Sequence, residues 1–77
     1  MRAVVQRVRR GKVSVDGQAI SEIGQGLVIL LGIGPEDNEE KARALARKIA
    51  LMRIFQDEQD KMNLSVLDVK GEAIVVS

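Results

Sequence analysis

Gly26-Leu27-Val28-Ile29-Leu30-Leu31-Gly32-Ile33 decides how this chain folds. From Leu27 to Ile33 every position except Gly32 is apolar, so the segment has no face to offer water. It is far too short to span a bilayer. It reads as a strand buried on both faces, or as the central strand of a closed sheet. Gly32 and Gly34 suggest that something packs close to its end.

Working back from this strand, Gly24-Gln25-Gly26 is a turn and Gln18 to Ile23 is a strand entering it. Ile20 and Ile23 have opposite parity, which predicts a bulge or an early strand end. Asp16-Gly17 is a strong short hairpin signal, and Lys12-Val13-Ser14-Val15 alternates cleanly before it. Gly11 allows a bend after a first strand, Ala3 to Val8. That strand puts Val4, Gln6 and Val8 on one face and Ala3, Val5 and Arg7 on the other.

Working forward, Pro35-Glu36-Asp37-Asn38-Glu39-Glu40 starts a helix. Asp37 or Asn38 can cap it, and the acids suit the positive end of the helix dipole. Ala42, Leu45, Ala46, Ile49 and Met52 then fall on one face, so the helix runs over about residues 38–52. Lys41, Arg43, Arg47 and Lys48 form its solvated side. Arg53 to Gln56 reads as a strand, Asp57 to Lys61 as a polar turn and Met62 to Val66 as a further strand. Asp68-Val69-Lys70-Gly71 turns into a last strand at Glu72. The expected class is α+β, with a mostly antiparallel, barrel-like sheet and one main amphipathic helix. The apolar run Ala73-Ile74-Val75-Val76-Ser77, with no polar tail, marks the fold as incomplete and the 77 residues as part of a larger domain.

Composition removes whole classes of chemistry. With no Cys and no His, these residues hold no disulfide, thiolate nucleophile, Cys/His zinc site or His-based triad. Phe55 is the only aromatic residue, so the core is aliphatic and no platform for stacking bases can be built here. No signal peptide is evident at the start. Net charge is +1 but unevenly placed: Arg2, Arg7, Arg9, Arg10 and Lys12 precede the first acid, Asp16. The remainder carries seven basic and eleven acidic residues, a balance of −4. Such a basic edge hints at a polyanionic partner, but from charge alone an edge strand charged against aggregation is the more ordinary reading.

Among individual residues, Arg7 shares a strand face with Ala3 and Val5, one of which meets the core. An arginine there needs an anionic or carbonyl partner, or else it snorkels to water. Ser77 follows a buried strand, yet no His or evident Lys stands by to activate it as a nucleophile. Gly32-x-Gly34 lacks the third glycine of a dinucleotide loop, and Glu36 and Asp37 stand where a phosphate would sit. Asp57, Glu58 and Asp60 lack the spacing of a calcium loop and read as a solvated turn.

Taken in order, Met1-Arg2-Ala3-Val4-Val5-Gln6-Arg7-Val8, Val13-Ser14-Val15-Asp16-Gly17 and Gly26-Leu27-Val28-Ile29-Leu30-Leu31-Gly32 resemble the amino-terminal half of D-aminoacyl-tRNA deacylases. The acid-rich helix start, Leu51 to Phe55, Lys61 to Val66 and Glu72 to Ser77 extend the resemblance over essentially the whole chain. It implies a dimeric α+β hydrolase that cleaves the ester joining a D-amino acid, or glycine, to the 3′-terminal adenosine of tRNA. It implies no cofactor or metal, a cytoplasmic setting, no membrane, and catalysis by the RNA 2′-hydroxyl held against main-chain groups. Ser77 matches the first position of the family's Ser-Gln-x-x-Thr motif and would orient substrate. Arg7 matches an arginine that braces a Gly-cis-Pro loop reaching across the dimer. Arg9, Arg10 and Lys12 would lie near the tRNA acceptor end. Neither the rest of the serine motif nor the Gly-Pro pair occurs in these residues. The alternative is an inactive fragment acting only as an RNA-binding or structural dimerisation module.

Overall fold

The computed structural model describes residues 1–77. Seven strands and one helix follow the chain: β1 Arg2–Val8, β2 Gly11–Val15, β3 Gln18–Ile23, β4 Gly26–Gly32, α1 Glu39–Leu51, β5 Phe55–Gln56, β6 Met62–Leu64 and β7 Glu72–Val76. The apolar run is indeed central. β4 lies between β1 and β7 in a three-stranded sheet, antiparallel to β1 and parallel to β7. β2 with β3, and β5 with β6, form separate two-stranded antiparallel sheets. Three of the four pairings are antiparallel, as expected, but the sheets do not close into a barrel.

One face of the main sheet carries the core. Leu27, Ile29, Ile49, Phe55 and Val66 form a buried cluster, with Ala3, Val5 and Leu45 packed against it. Burying side chains of this size contributes about 1.5–3 kcal/mol each. The β2–β3 hairpin packs on the opposite face, where Gly11 lies against Val28 and Ile23, and β3 meets β7. It covers only part of that face. Leu30 stays 52% exposed beside Val4, its cross-strand neighbour, at 63%. The expectation of a strand buried on both faces therefore holds at the Leu27 end and fails at the Leu30 end.

Gly26 is required by close approach. A Cβ there would collide with the Glu72 carbonyl, so only a bare backbone lets β7 start against β4. Asp16 and Gly17 have φ of 51° and 80°, the two left-handed residues of a type I′ turn. The bulge predicted from Ile20 is present: Val13 pairs with Ser21 but Ser14 with Ala19, leaving Ile20 unmatched. We expect Gly17→Val to destabilise the protein by roughly 1 kcal/mol or more, since a β-branched residue resists positive φ. An unchanged urea midpoint would show that the hairpin tolerates another turn.

Asn38 caps α1 by accepting the Lys41 N–H at 2.8 Å. Asp37 does different work. Its carboxylate accepts from the Met1 ammonium at 2.8 Å and from the Gly34 N–H at 2.7 Å, fastening the start of β1 to the loop before the helix. The strand expected at 53–56 is reduced to Phe55–Gln56, with the Ile54 N–H turned back to the Met52 carbonyl, and that expected at 62–66 ends at Leu64, where Ser65 accepts the Asp68 N–H and donates its hydroxyl to the Asp68 carboxylate.

Candidate functional site

The carboxyl end of β1 gathers the basic residues. Arg7 has the parity of Ala3 and Val5, so it emerges on the core side where the chain leaves α1. Its Nη1 donates to the Ile54 carbonyl oxygen at 2.7 Å and lies 3.2 Å from the Met62 sulfur. The arginine on that face thus has a carbonyl partner, supplied by its own chain, while the guanidinium remains exposed. Beside it opens a polar cavity of about 380 Å³ lined by Arg7, Val8, Arg9, Gln25, Phe55 and Gln56. No acidic side chain lines it, and neither Arg7, Arg9 nor Arg10 is in an ion pair. Two guanidinium groups and two carboxamides offer donors to an anion or a carbonyl oxygen.

The other basic candidates divide. Arg10 sits with Arg9 in the bend between β1 and β2. Lys12 lies on β2 directly across from Glu22, so an opposite charge offsets it. Phe55 is 2% exposed and belongs to the core, so its ring is not free to stack on a base.

Ser77 is elsewhere. Arg7 pairs with Leu27 and Leu27 with Ala73, while Leu30 pairs with Val76. Ser77 follows four residues after Ala73, roughly 13 Å along the strand and about 10 Å across two strand spacings from Arg7. Arg7 and Ser77 of one chain do not meet around a small group. The β alternation gives Ser77 the parity of Ala73 and Val75, which line an apolar groove of about 290 Å³ between α1 and the sheet. Ser77 is exposed, and its hydroxyl has no hydrogen-bond partner that could act as a base.

Sequence reasoning missed Gln25, Gln56 and the Ile54 carbonyl. Gln25 read as turn filler between two glycines, and Gln56 as the polar half of a strand. Their only shared signal is a carboxamide beside a tight turn or a buried aromatic, which is too common to single out.

Three aspartates hold the surrounding turns. The Met1 ammonium and the Gly34 N–H lower the Asp37 pKa, main-chain N–H groups of Lys61 and Gln59 lower that of Asp57, and the Ser65 N–H and hydroxyl lower that of Asp68. Each folded value lies below the ordinary 3.8. The unfolded chain therefore takes up protons first as pH falls, and the stabilisation present above that value is lost on passing down through the folded values. Thermal melts should be nearly flat from pH 7 to 5 and fall below about pH 4. Asp37→Asn should flatten that fall in part.

No helix of the chain is long and apolar enough to cross a membrane. Residues 4–77 match the family described as D-Tyr-tRNA(Tyr) deacylase. The whole chain is 61% identical to 53% of a protein from Carboxydothermus hydrogenoformans, and 58% identical to 52% of one from Thermoanaerobacter sp. (strain X514), both named D-aminoacyl-tRNA deacylase. A solved structure named "c-Myc DNA Unwinding Element Binding Protein" superimposes with a TM-score of 0.92 at 45% identity, over 97% of this chain and 51% of that one. The chain spans about half the length of these relatives. With the match running from the first strand to Ser77, the chain belongs to the D-Tyr-tRNA(Tyr) deacylase family.

Proposed function

We propose that this chain is one half of a hydrolase that frees tRNA from D-amino acids, and from glycine where it is mischarged. It would do so by cleaving the ester to the 3′-terminal adenosine. The observation that carries this reading is family membership over essentially the entire chain. The chemistry of the residues agrees with it. Ester hydrolysis that draws no His or Cys from these residues can rest on preorganised main-chain donors around the developing oxyanion and on a substrate hydroxyl that manages the proton. A substrate of aminoacyl-tRNA fits a cytoplasmic setting.

In this reading Ser77 orients the aminoacyl ester by a hydrogen bond and forms no covalent bond to it. Arg9 and Arg10 meet phosphates of the acceptor strand, giving affinity without sequence choice. Lys12 contributes less, because Glu22 stands across from it. Arg7 positions a loop contributed by the second subunit of a homodimer. The separation of Arg7 from Ser77 within one chain favours this, since the two then serve different parts of the assembled site.

The test uses a full-length protein made by joining this chain to the remaining half of the Carboxydothermus hydrogenoformans relative. Single-turnover deacylation of D-tyrosyl-tRNA, with L-tyrosyl-tRNA as control, should show release of the D-form only. Equal release of both, or of neither by a folded protein, would sink the hydrolase reading. It would leave the RNA-binding or structural module, which a retained tRNA gel shift would support.

A further inference from the structure

Met62 is the methionine whose sulfur meets a charge. Met52 packs against the core cluster and Met1 lines the apolar groove beside α1, but Met62 is 55% exposed. The β5–β6 hairpin sets its direction. Gln56 pairs with Met62, and the register slips between Phe55 and Gln56. Cross-strand partners share a face, so Gln56 and Met62 stand on the same side of the hairpin. Phe55 stays in the core, while Gln56 lines the polar cavity and Met62 brings its sulfur to 3.2 Å from Arg7 Nη1.

That contact is weak and chemically convertible. A thioether accepts poorly, so the Ile54 carbonyl at 2.7 Å is the stronger of the two partners of Nη1. Oxidation replaces the poor acceptor by a polar sulfoxide. Hydrogen bonds from a charged donor are roughly twice as strong as neutral ones, which keeps the new oxygen beside the guanidinium. Within 3.2 Å there is no room for it, so the fork turns. The donors of a guanidinium move as one rigid plane, and turning it toward the sulfoxide loosens the bond to Ile54.

We propose that Met62 is an oxidation site through which a peroxide resets the orientation of Arg7. The sulfur lone pair attacks one oxygen of hydrogen peroxide. An S–O bond forms as the O–O bond breaks, and the released hydroxide takes the proton from the transferred oxygen and leaves as water. Sulfur gives up two electrons and the peroxide is reduced. Methionine sulfoxide reductases reverse the change, one enzyme for each sulfoxide epimer. Met62 acts through Arg7, which makes it a positioning residue. The effect on turnover rests on the proposed deacylation; the place of oxidation and the movement of the fork do not.

The experiment treats the joined full-length protein with hydrogen peroxide. It follows oxygen uptake by peptide mass and the Ile54 bond by the carbonyl carbon resonance of Ile54, read through the Phe55 amide. Met62 should gain oxygen at least about fivefold faster than Met52, since exposure governs the rate. As it does, the Ile54 resonance should move toward the value it has in Arg7→Ala, and it should stay in place in treated Met62→Leu. A methionine that only fills space would not move it. Deacylation of D-tyrosyl-tRNA should fall about tenfold or more and return after treatment with both sulfoxide reductases. Met62→Leu should keep its own starting rate through the same treatment. Three results overturn the proposal: Met62 oxidised no faster than Met52, an Ile54 resonance unmoved by oxidation of Met62, or a loss of activity that Met62→Leu shares in full. If the parent protein proves inactive, the hydrolytic function falls and the first two readouts still decide the site.

Discussion

Turnover of D-tyrosyl-tRNA by the joined full-length protein is expected to collapse when the terminal adenosine is replaced by its 2′-deoxy form. The ester sits on the 3′-oxygen, so the 2′-hydroxyl is the nearest polar group to the carbonyl under attack. In the proposed reaction water adds to that carbonyl carbon, main-chain N–H groups hold the oxyanion, and the 3′-oxygen departs with a proton. The 2′-hydroxyl is the group placed to relay that proton. Deleting a positioned proton-transfer group costs about 10²–10⁴-fold in rate. Within these residues Ser77 has no base hydrogen-bonded to it, and a serine becomes a nucleophile only beside one. Rapid quenching should accordingly show no acylated protein. An amino acid trapped as an ester on Ser77, with 2′-deoxy substrate still cleaved, would restore a serine-hydrolase mechanism.

Local chemistry was readable from the residues, and long-range pairing was not. Asp16-Gly17 pointed to a hairpin and the parity clash of Ile20 with Ile23 to a bulge or an early strand end, of which the bulge is present, because turn type and alternation are properties of neighbouring residues. The helix over 38–52 was equally legible, with Asp37 or Asn38 as its cap, and Asn38 is the one that caps α1. β4 announced its central place through uninterrupted apolarity. Nothing in the sequence of β4 or β7 says that they run parallel, because that depends on the path through α1 and the Met52–Gly71 segment. These residues do not confirm the barrel-like detail, for the same reason: closure requires partners for the outer edges of β1 and β7, and periodicity within a strand carries no information about them. The face of Arg7 was legible and its partner was not, since Ile54 lies 47 residues away in the chain.

Arg7→Ala in the joined full-length protein is expected to keep the fold and lower the deacylation rate about 100-fold. The side chain ties β1 to the segment leaving α1 through one hydrogen bond at 2.7 Å. Being exposed, that bond contributes only about 1 kcal/mol of stability, so the variant should still melt cooperatively, a few degrees lower. The larger effect is geometric. Nη1 is committed to Ile54, which leaves the rest of the fork held in one orientation toward the polar cavity it shares with Arg9, Gln25 and Gln56. Under the proposed bracing role, a loop held there would move when the fork is removed, and a displacement of ~1 Å in a positioning element can cost ~100-fold in rate. Arg7→Lys should recover little, because a single ammonium cannot bond Ile54 and present a second donor in the same plane. Arg9→Ala and Arg10→Ala should behave differently. They raise KM with kcat nearly unchanged, and each lowers the salt slope of tRNA binding by about 0.7–0.9 for every phosphate it no longer neutralises. A folded Arg7→Ala protein that deacylates at the parent rate would reduce this arginine to a clasp between β1 and Ile54.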